Sequence, residues 1–278
     1  TNCDYGLSLD HAAMNNSVCR NHVERSSIAG VALETASDSN FVIANVIVSN
    51  AYGIRILWSS SNTFYHNNIV NNSVQVYVSG GYTNMWNSQY PSGGNYWSGY
   101  NGTDLSSGLY QNETGSDGIG DTDCVIYANN IDRYPLKGMF LDHEASSECH
   151  VQTICNSTLS DFQFNGTAIR FNVSGESGTA GFCRVCIPTA LMNETYYAFV
   201  NGTEVLPNLL TCSNATHSHL YFDYMHSVQE VVILPEFPSF LIPPLFMIAT
   251  LSAVIIYKRR RLSSETQKKR GFARDFAT

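Results

Sequence analysis

The chain has 278 residues, only 14% of them charged, and a formal net charge of −8. That length holds more than one domain, and a low-charge chain rich in Asn, Ser, Thr, Tyr and Gly reads as β-rich and extracellular rather than cytosolic. Residues 1–257 carry 7 of the 15 Lys+Arg and 21 of the 23 Asp+Glu, which excludes nucleic acid as a partner for that part.

Residues 1–88 hold an internal repeat. Asn16, Asn40, Asn62 and Asn84 are spaced 24, 22 and 22 apart, and Asn21, Asn45 and Asn67 follow the first three by five residues. Apolar residues stand two places after each column: Val18, Val42, Phe64 and Trp86, then Val23, Ile47 and Ile69. Upstream run Gly6-Leu7-Ser8-Leu9, Gly30-Val31-Ala32-Leu33 and Gly53-Ile54-Arg55-Ile56, and a fourth copy, Gln75-Val76-Tyr77-Val78, loses the glycine. A period of 22–24 residues made of short alternating strands predicts a solenoid of stacked coils. Each coil is three strands that pair with the next coil, a parallel β-helix of about four coils. Asparagine suits its turns by bonding nearby backbone and tolerating a left-handed backbone. Nothing like a signal peptide precedes the ladder, which predicts further coils upstream.

Residues 89–140 are predicted to cap the solenoid, with Trp86, Tyr96, Trp97 and Tyr100 covering its core. Asp117, Asp121 and Asp123 alternate with glycines, and Asp104 lies upstream. Such a set is raw material for a calcium loop, or else for turns whose carboxylates cap backbone N–H groups. Residues 141–233 are predicted to form a small antiparallel β-sandwich, from strand-like runs at 161–164, 169–173, 183–187, 197–200, 219–224 and 230–233. Disulfides are expected among Cys149, Cys155, Cys183, Cys186 and Cys212, and between Cys3 and Cys19. The odd separation of Cys183 and Cys186 points them to opposite faces of a strand. His217 and His219 share a strand face, with His226 on a return strand, a pattern that can bind copper or zinc.

Residues 234–257 read as an anchor. The run from Phe240 to Tyr257 is apolar and uncharged, and the basic tail 258–278 begins Lys258-Arg259-Arg260-Arg261. This predicts one C-terminal transmembrane helix in the cell membrane, the tail cytoplasmic and the rest outside. N-glycosylation sequons at Asn15, Asn71, Asn101, Asn112, Asn156, Asn165, Asn172, Asn193, Asn201 and Asn214 all lie upstream of it.

The Asn62-Thr63-Phe64-Tyr65-His66-Asn67-Asn68-Ile69 coil resembles the right-handed parallel β-helix repeats of NosD-like and pectate-lyase-type proteins. Gly94 to Tyr100, Gly115 to Thr122 and Asp132-Arg133-Tyr134-Pro135-Leu136 resemble the tail that closes such repeats in archaeal surface proteins, where Asp123 stands in place of a usual proline. Pro235-Glu236-Phe237-Pro238 is similar to a PEF-type sorting signal, which implies a sortase-like processing enzyme. The resemblance implies an all-β surface protein that binds polysaccharides or surface glycoproteins, or serves the envelope structurally. It also implies two alternatives: a polysaccharide lyase or glycoside hydrolase with its groove in upstream coils, and a NosD-like copper maturation factor. The candidate catalytic residues are Asp10 and Glu34, one coil apart, with Arg55. Tyr65 and Tyr77 alternate outward and are the candidate sugar-stacking residues.

Overall fold

In the computed structural model of the chain, residues 3–80, 82–192 and 195–235 are described. They hold strands and no helix, so among them no helix is long and apolar enough to cross a membrane. The predicted anchor, sorting motif after Pro235 and basic tail lie outside the described residues, as does Asn193.

The first coil is β1 (Tyr5–Leu9), β2 (Ser17–Cys19) and β3 (His22–Glu24). The second is β4 (Ala29–Glu34), β5 (Phe41–Ile43) and β6 (Val46–Val48), and the third β7 (Tyr52–Leu57), β8 (Thr63–Tyr65) and β9 (Asn68–Val70). β10 (Val74–Ser79) opens a fourth, and β11 (Tyr96–Trp97) extends the β3-β6-β9 sheet. Three parallel sheets result, β1-β4-β7-β10, β2-β5-β8 and β3-β6-β9-β11. Leu7, Val31, Ile54 and Val76 fall in one inward column, and Leu9, Leu33, Ile56 and Val78 in the next.

The asparagines tie the coils together, and each column runs head to tail. The backbone N–H and Nδ2 of Asn45 both donate to Oδ1 of Asn67, at 3.0 and 2.9 Å. Nδ2 of Asn45 also donates to the Val18 carbonyl of the coil before, at 2.9 Å. Asn16, Asn40, Asn62 and Asn84 repeat the pattern in their column. A third column, which the sequence reading passed over, runs Ser26, Asn50, Asn72. The left-handed residue is not the asparagine itself but its predecessor: Asn15, Ser39 and Ser61, then Arg20, Ala44 and His66, then Arg25, Ser49 and Asn71. That residue turns the chain and aims the next side chain into the stack. Each such turn costs on the order of 1–2 kcal/mol, while a satisfied buried amide makes several bonds of roughly 1 kcal/mol each, so the ladder outweighs its turns.

The glycine column has a spatial reason. A Cβ on Gly30 would stand 2.9 Å from the Gly53 carbonyl of the next coil and 2.8 Å from Asn50 Nδ2. Gln75 replaces the glycine where β10 ends the sheet and no coil follows.

The ladders end in the cap, which contains β12 (Ser106–Ser107), β13 (Glu113–Thr114), β14 (Cys124–Tyr127) and β15 (Asn130–Asp132). Asn130 Oδ1 accepts from Asn84 N–H at 3.0 Å and from the Trp86 indole at 3.0 Å. Asp132, fully buried, accepts from Asn95 N–H at 2.8 Å, the Trp97 indole at 2.9 Å and Tyr134 N–H at 3.1 Å. A head-to-tail donor chain needs an acceptor at its end, and a carboxylate supplies one. Phe64 and Trp86 stack at 4.3 Å, and Trp97 closes the core behind them. Tyr100 packs on this core as well, whereas Tyr96 packs on a separate cluster around Ile119, Leu136 and Phe140.

Beyond the cap follow β16 (Met139–Ser146), β17 (Cys149–Cys155), β18 (Thr158–Phe164), β19 (Ile169–Ser174), β20 (Ala180–Pro188), β21 (Tyr196–Val200), β22 (Thr203–Val205), β23 (Asn208–Leu209), β24 (His217–Met225) and β25 (Gln229–Pro235). They form two five-stranded antiparallel sheets, β16-β17-β20-β24-β23 and β18-β19-β25-β21-β22. Between them lies a core that includes Ile169, Phe171, Val185 and Ile233. The hairpin β16–β17 has no counterpart among the predicted runs. It meets the solenoid through two residues: Asp142 pairs with Arg20, and the Phe140 backbone exchanges two 2.8 Å bonds with the Asn68 side chain. Cys155 and Cys183 face each other on β17 and β20 and form a disulfide in the core. Cys19 carries a free thiol, so the expected bridge to Cys3 is absent.

Two predictions follow from the ladder. Asn67→Ala leaves buried donors and acceptors unpaired and is expected to cost about 2–4 kcal/mol in denaturant unfolding, against under ~1 kcal/mol for exposed Asn16→Ala. Burial pushes Asp132 up to about 7 against its hydrogen bonds, and Asp104 likewise to about 7. The folded state therefore holds protons that the unfolded state releases near pH 4, so stability falls as pH rises from about 4 to about 7 and levels off above. Melting profiles across that window are expected to flatten in Asp132→Asn.

Candidate functional site

The inward columns are committed to the core, so function is left to the outward ones. On the β1-β4-β7-β10 sheet these are Tyr5, Ala29, Tyr52 and Val74, then Ser8, Ala32, Arg55 and Tyr77. Tyr52 and Tyr77 bring their ring centroids to 5.4 Å. Arg55 Nη1 donates to Glu34 Oε1 at 2.6 Å and to the Tyr5 hydroxyl at 2.8 Å. The second-coil members, Ala29 and Ala32, are fully buried although their columns face outward. Long side chains from the coils on either side therefore close over them and make one continuous surface. Trp58, 59% exposed, stands at the turn after β7, and it and Tyr82 both lie against Gly80. Aromatic rings thus flank a neutralised ion pair on an otherwise flat sheet.

This arrangement sorts the catalytic candidates. Glu34 is engaged by Arg55, with side chains 19% and 23% exposed. Hydrogen bonds from Thr35, then from the His11 backbone, hold the exposed Asp10 carboxyl below its usual range. Acid catalysis of glycoside cleavage needs one carboxyl raised to hold a proton near neutrality; Asp10 is shifted the other way, and Arg55 is held as the ion-pair partner of Glu34. Tyr77 belongs to the aromatic face, but Tyr65 does not. It lies on the β2-β5-β8 sheet, edge-on to His66 at 5.0 Å.

The aspartate loop spends its oxygens on backbone. Asp104 accepts from the N–H groups of Asp117 and Gly118, both at 2.9 Å. Asp121 accepts from Leu105 N–H, Ser106 N–H and the Thr103 hydroxyl at 2.9–3.0 Å. Asp117 accepts from Ile119 N–H at 3.0 Å, and Asp123 is exposed. Among the described residues no three His, Cys, Asp or Glu side chains converge as a metal would require.

The histidines disperse. His217 is exposed and bonds Thr216, while His219 is buried with Nε2 3.8 Å from Cys186 Sγ. His226 bonds Ser157 and Thr179. In the solenoid, His11 and His22 face Asp10 and Glu24, and His66 is buried against the Ser92 carbonyl, its pKa lowered to about 4 by burial. Of the sequons, Asn15, Asn71, Asn101, Asn112, Asn156, Asn165, Asn201 and Asn214 are exposed. Asn156 and Asn172 hold their amide nitrogens in bonds to the Ala180 carbonyl and to Asp161.

Stacked parallel coils with an outward aromatic face and a closed C-terminal end define a β-solenoid protein. Residues 1–102 match the family described as periplasmic copper-binding protein (NosD), and over that stretch the chain is a NosD-like parallel β-helix. No curated protein and no solved structure matches the chain significantly. The described histidines of the matched stretch do not fit a copper centre, since they share no site.

Tyr5 and Tyr52 escaped the sequence reading, yet they carried a signal. Each immediately precedes a repeat glycine, Gly6 or Gly53, in a column whose middle member is Ala29. The aspartate geometry yields a further prediction. Asp121→Ala is expected to lower the melting temperature by a few degrees, for about 1 kcal/mol lost, equally with calcium or chelator in the buffer; a loss confined to calcium buffer would instead locate a cation in the loop.

Proposed function

We propose that this is a surface-anchored β-helix protein that binds glycans on the outward face of β1, β4, β7 and β10. The observation that carries the reading is the Tyr52–Tyr77 ring pair, 5.4 Å apart on a solvent-facing sheet beside the Arg55–Glu34 pair. Ring faces suit the apolar C–H faces of sugars, and phenol, carboxylate and guanidinium groups suit their hydroxyls. An extracellular position is supported by the exposed sequons and by the uncharged run at 240–257 with its basic flank, which lies outside the described residues. The copper role in the matched family's description finds no support in the placement of the described histidines.

The test is binding of the purified chain to immobilised polysaccharides. Tyr77→Ala and Tyr52→Ala are each expected to weaken binding about 3- to 10-fold, from the worth of one stacking contact, with the chain still folded and its melting temperature lowered by no more than a few degrees. Unaltered binding in both variants would remove the face from the site.

A further inference from the structure

We infer that the glycans bound by this face are neutral, and that the Arg55–Glu34 pair is what excludes anionic ones; the inference rests on the glycan-binding reading above. A polymer of uronates or sulfated sugars must find cations to replace the water lost from its anionic groups. Residues 3–80 contain three: Arg20, Arg25 and Arg55. Each is already paired, Arg20 with Asp142, Arg25 with Glu24 at 3.7 Å and Arg55 with Glu34 at 2.6 Å. No lysine occurs before Lys137, and that one is spent in the cap, donating to the Gly102 carbonyl and lying 5.2 Å from the Tyr100 ring centroid. The histidines add no cation to the face: His11 and His22 sit beside carboxylates elsewhere on the coils, and His66 is buried and neutral. Asp4 and Asp38 leave the coils with surplus negative charge.

Among the described residues Arg55 is the one cation on the aromatic face, and its pairing decides the selectivity. Nη1 serves both Glu34 and Tyr5, which leaves Nη2 and Nε as donors for sugar hydroxyls. Glu34 supplies an acceptor of the kind sugar hydroxyls bind. To an approaching carboxylate or sulfate, the same Glu34 presents a like charge within 2.6 Å of the Arg55 counter-charge. A neutral chain meets none of this repulsion, and its binding depends little on salt.

The experiment compares the full chain on neutral polysaccharides (glucan, mannan, galactan) with polygalacturonate, alginate and dextran sulfate, at low and high ionic strength. The expected result is binding to a neutral polymer that is insensitive to salt and weakened by Tyr77→Ala, with anionic polymers bound at least tenfold more weakly. Glu34→Gln frees the Arg55 charge and is expected to gain salt-sensitive binding of polygalacturonate, at least threefold above the parent. Preferential, salt-sensitive binding of anionic polymers by the parent chain would overturn the neutral assignment and leave the glycan reading standing. Absence of binding to either class would overturn the glycan reading itself. A Glu34→Gln variant with unchanged preference would overturn the role given to the ion pair.

Discussion

The buried asparagine amide is the constraint on which the solenoid depends. A coil turn brings backbone N–H and C=O groups to the interior with no strand to meet them, and an unpaired buried group costs about 1–3 kcal/mol. One amide side chain answers this by accepting two bonds from the coil before and donating to carbonyls and to the coil after. The same requirement forces the preceding residue into a left-handed turn, even where it is Arg20, Ala44 or His66. Because every amide points the same way, the stack has a direction and needs an acceptor at one end. Asn130 and Asp132 fill that need from a distant hairpin, which is why the cap is part of the solenoid's hydrogen bonding and not a separate lid.

Fixing the interior in this way frees the exterior. With inward columns set by packing and turns by the ladder, the outward columns of the β1-β4-β7-β10 sheet vary without cost to the coil. Tyrosines, an arginine and a glutamate occupy them here, supported on two buried alanines. The antiparallel sandwich joins through the cap and through β16, by way of Asp142, Phe140 and the buried Arg184, which donates to the Asp117 and Pro91 carbonyls. Those contacts fall on the turn side of the coils and around the cap, so the aromatic sheet is left open.

The repeat, its period and its inward columns were legible because they depend on contacts between residues one period apart, and spacing along the chain reports those directly. The third ladder column was equally legible at Ser26, Asn50 and Asn72 but was masked by the serine. The hairpin β16–β17 was not, because Asp142, His143 and Glu144 interrupt the apolar alternation that marks a strand. Asp142 answers to Arg20, 122 residues away in sequence, while His143 stacks on Phe162 of the facing sheet. The aspartates of the cap read equally well as a cation loop or as turn caps, since both use carboxylates beside glycines. Only the positions of the facing N–H groups separate the two.

The sequence by itself determined a stack of parallel coils with asparagine turns, its outward tyrosines and a closing segment, since each is a matter of period and side-chain type. Tertiary structure alone decided that the rings of Tyr52 and Tyr77 meet, that Glu34 meets Arg55 instead of acting with Asp10, and that Asp132 ends a ladder begun at Asn21. Those outcomes depend on which way a side chain leans across its neighbours and on which distant segment docks at the end of the stack. Chain spacing carries no record of either.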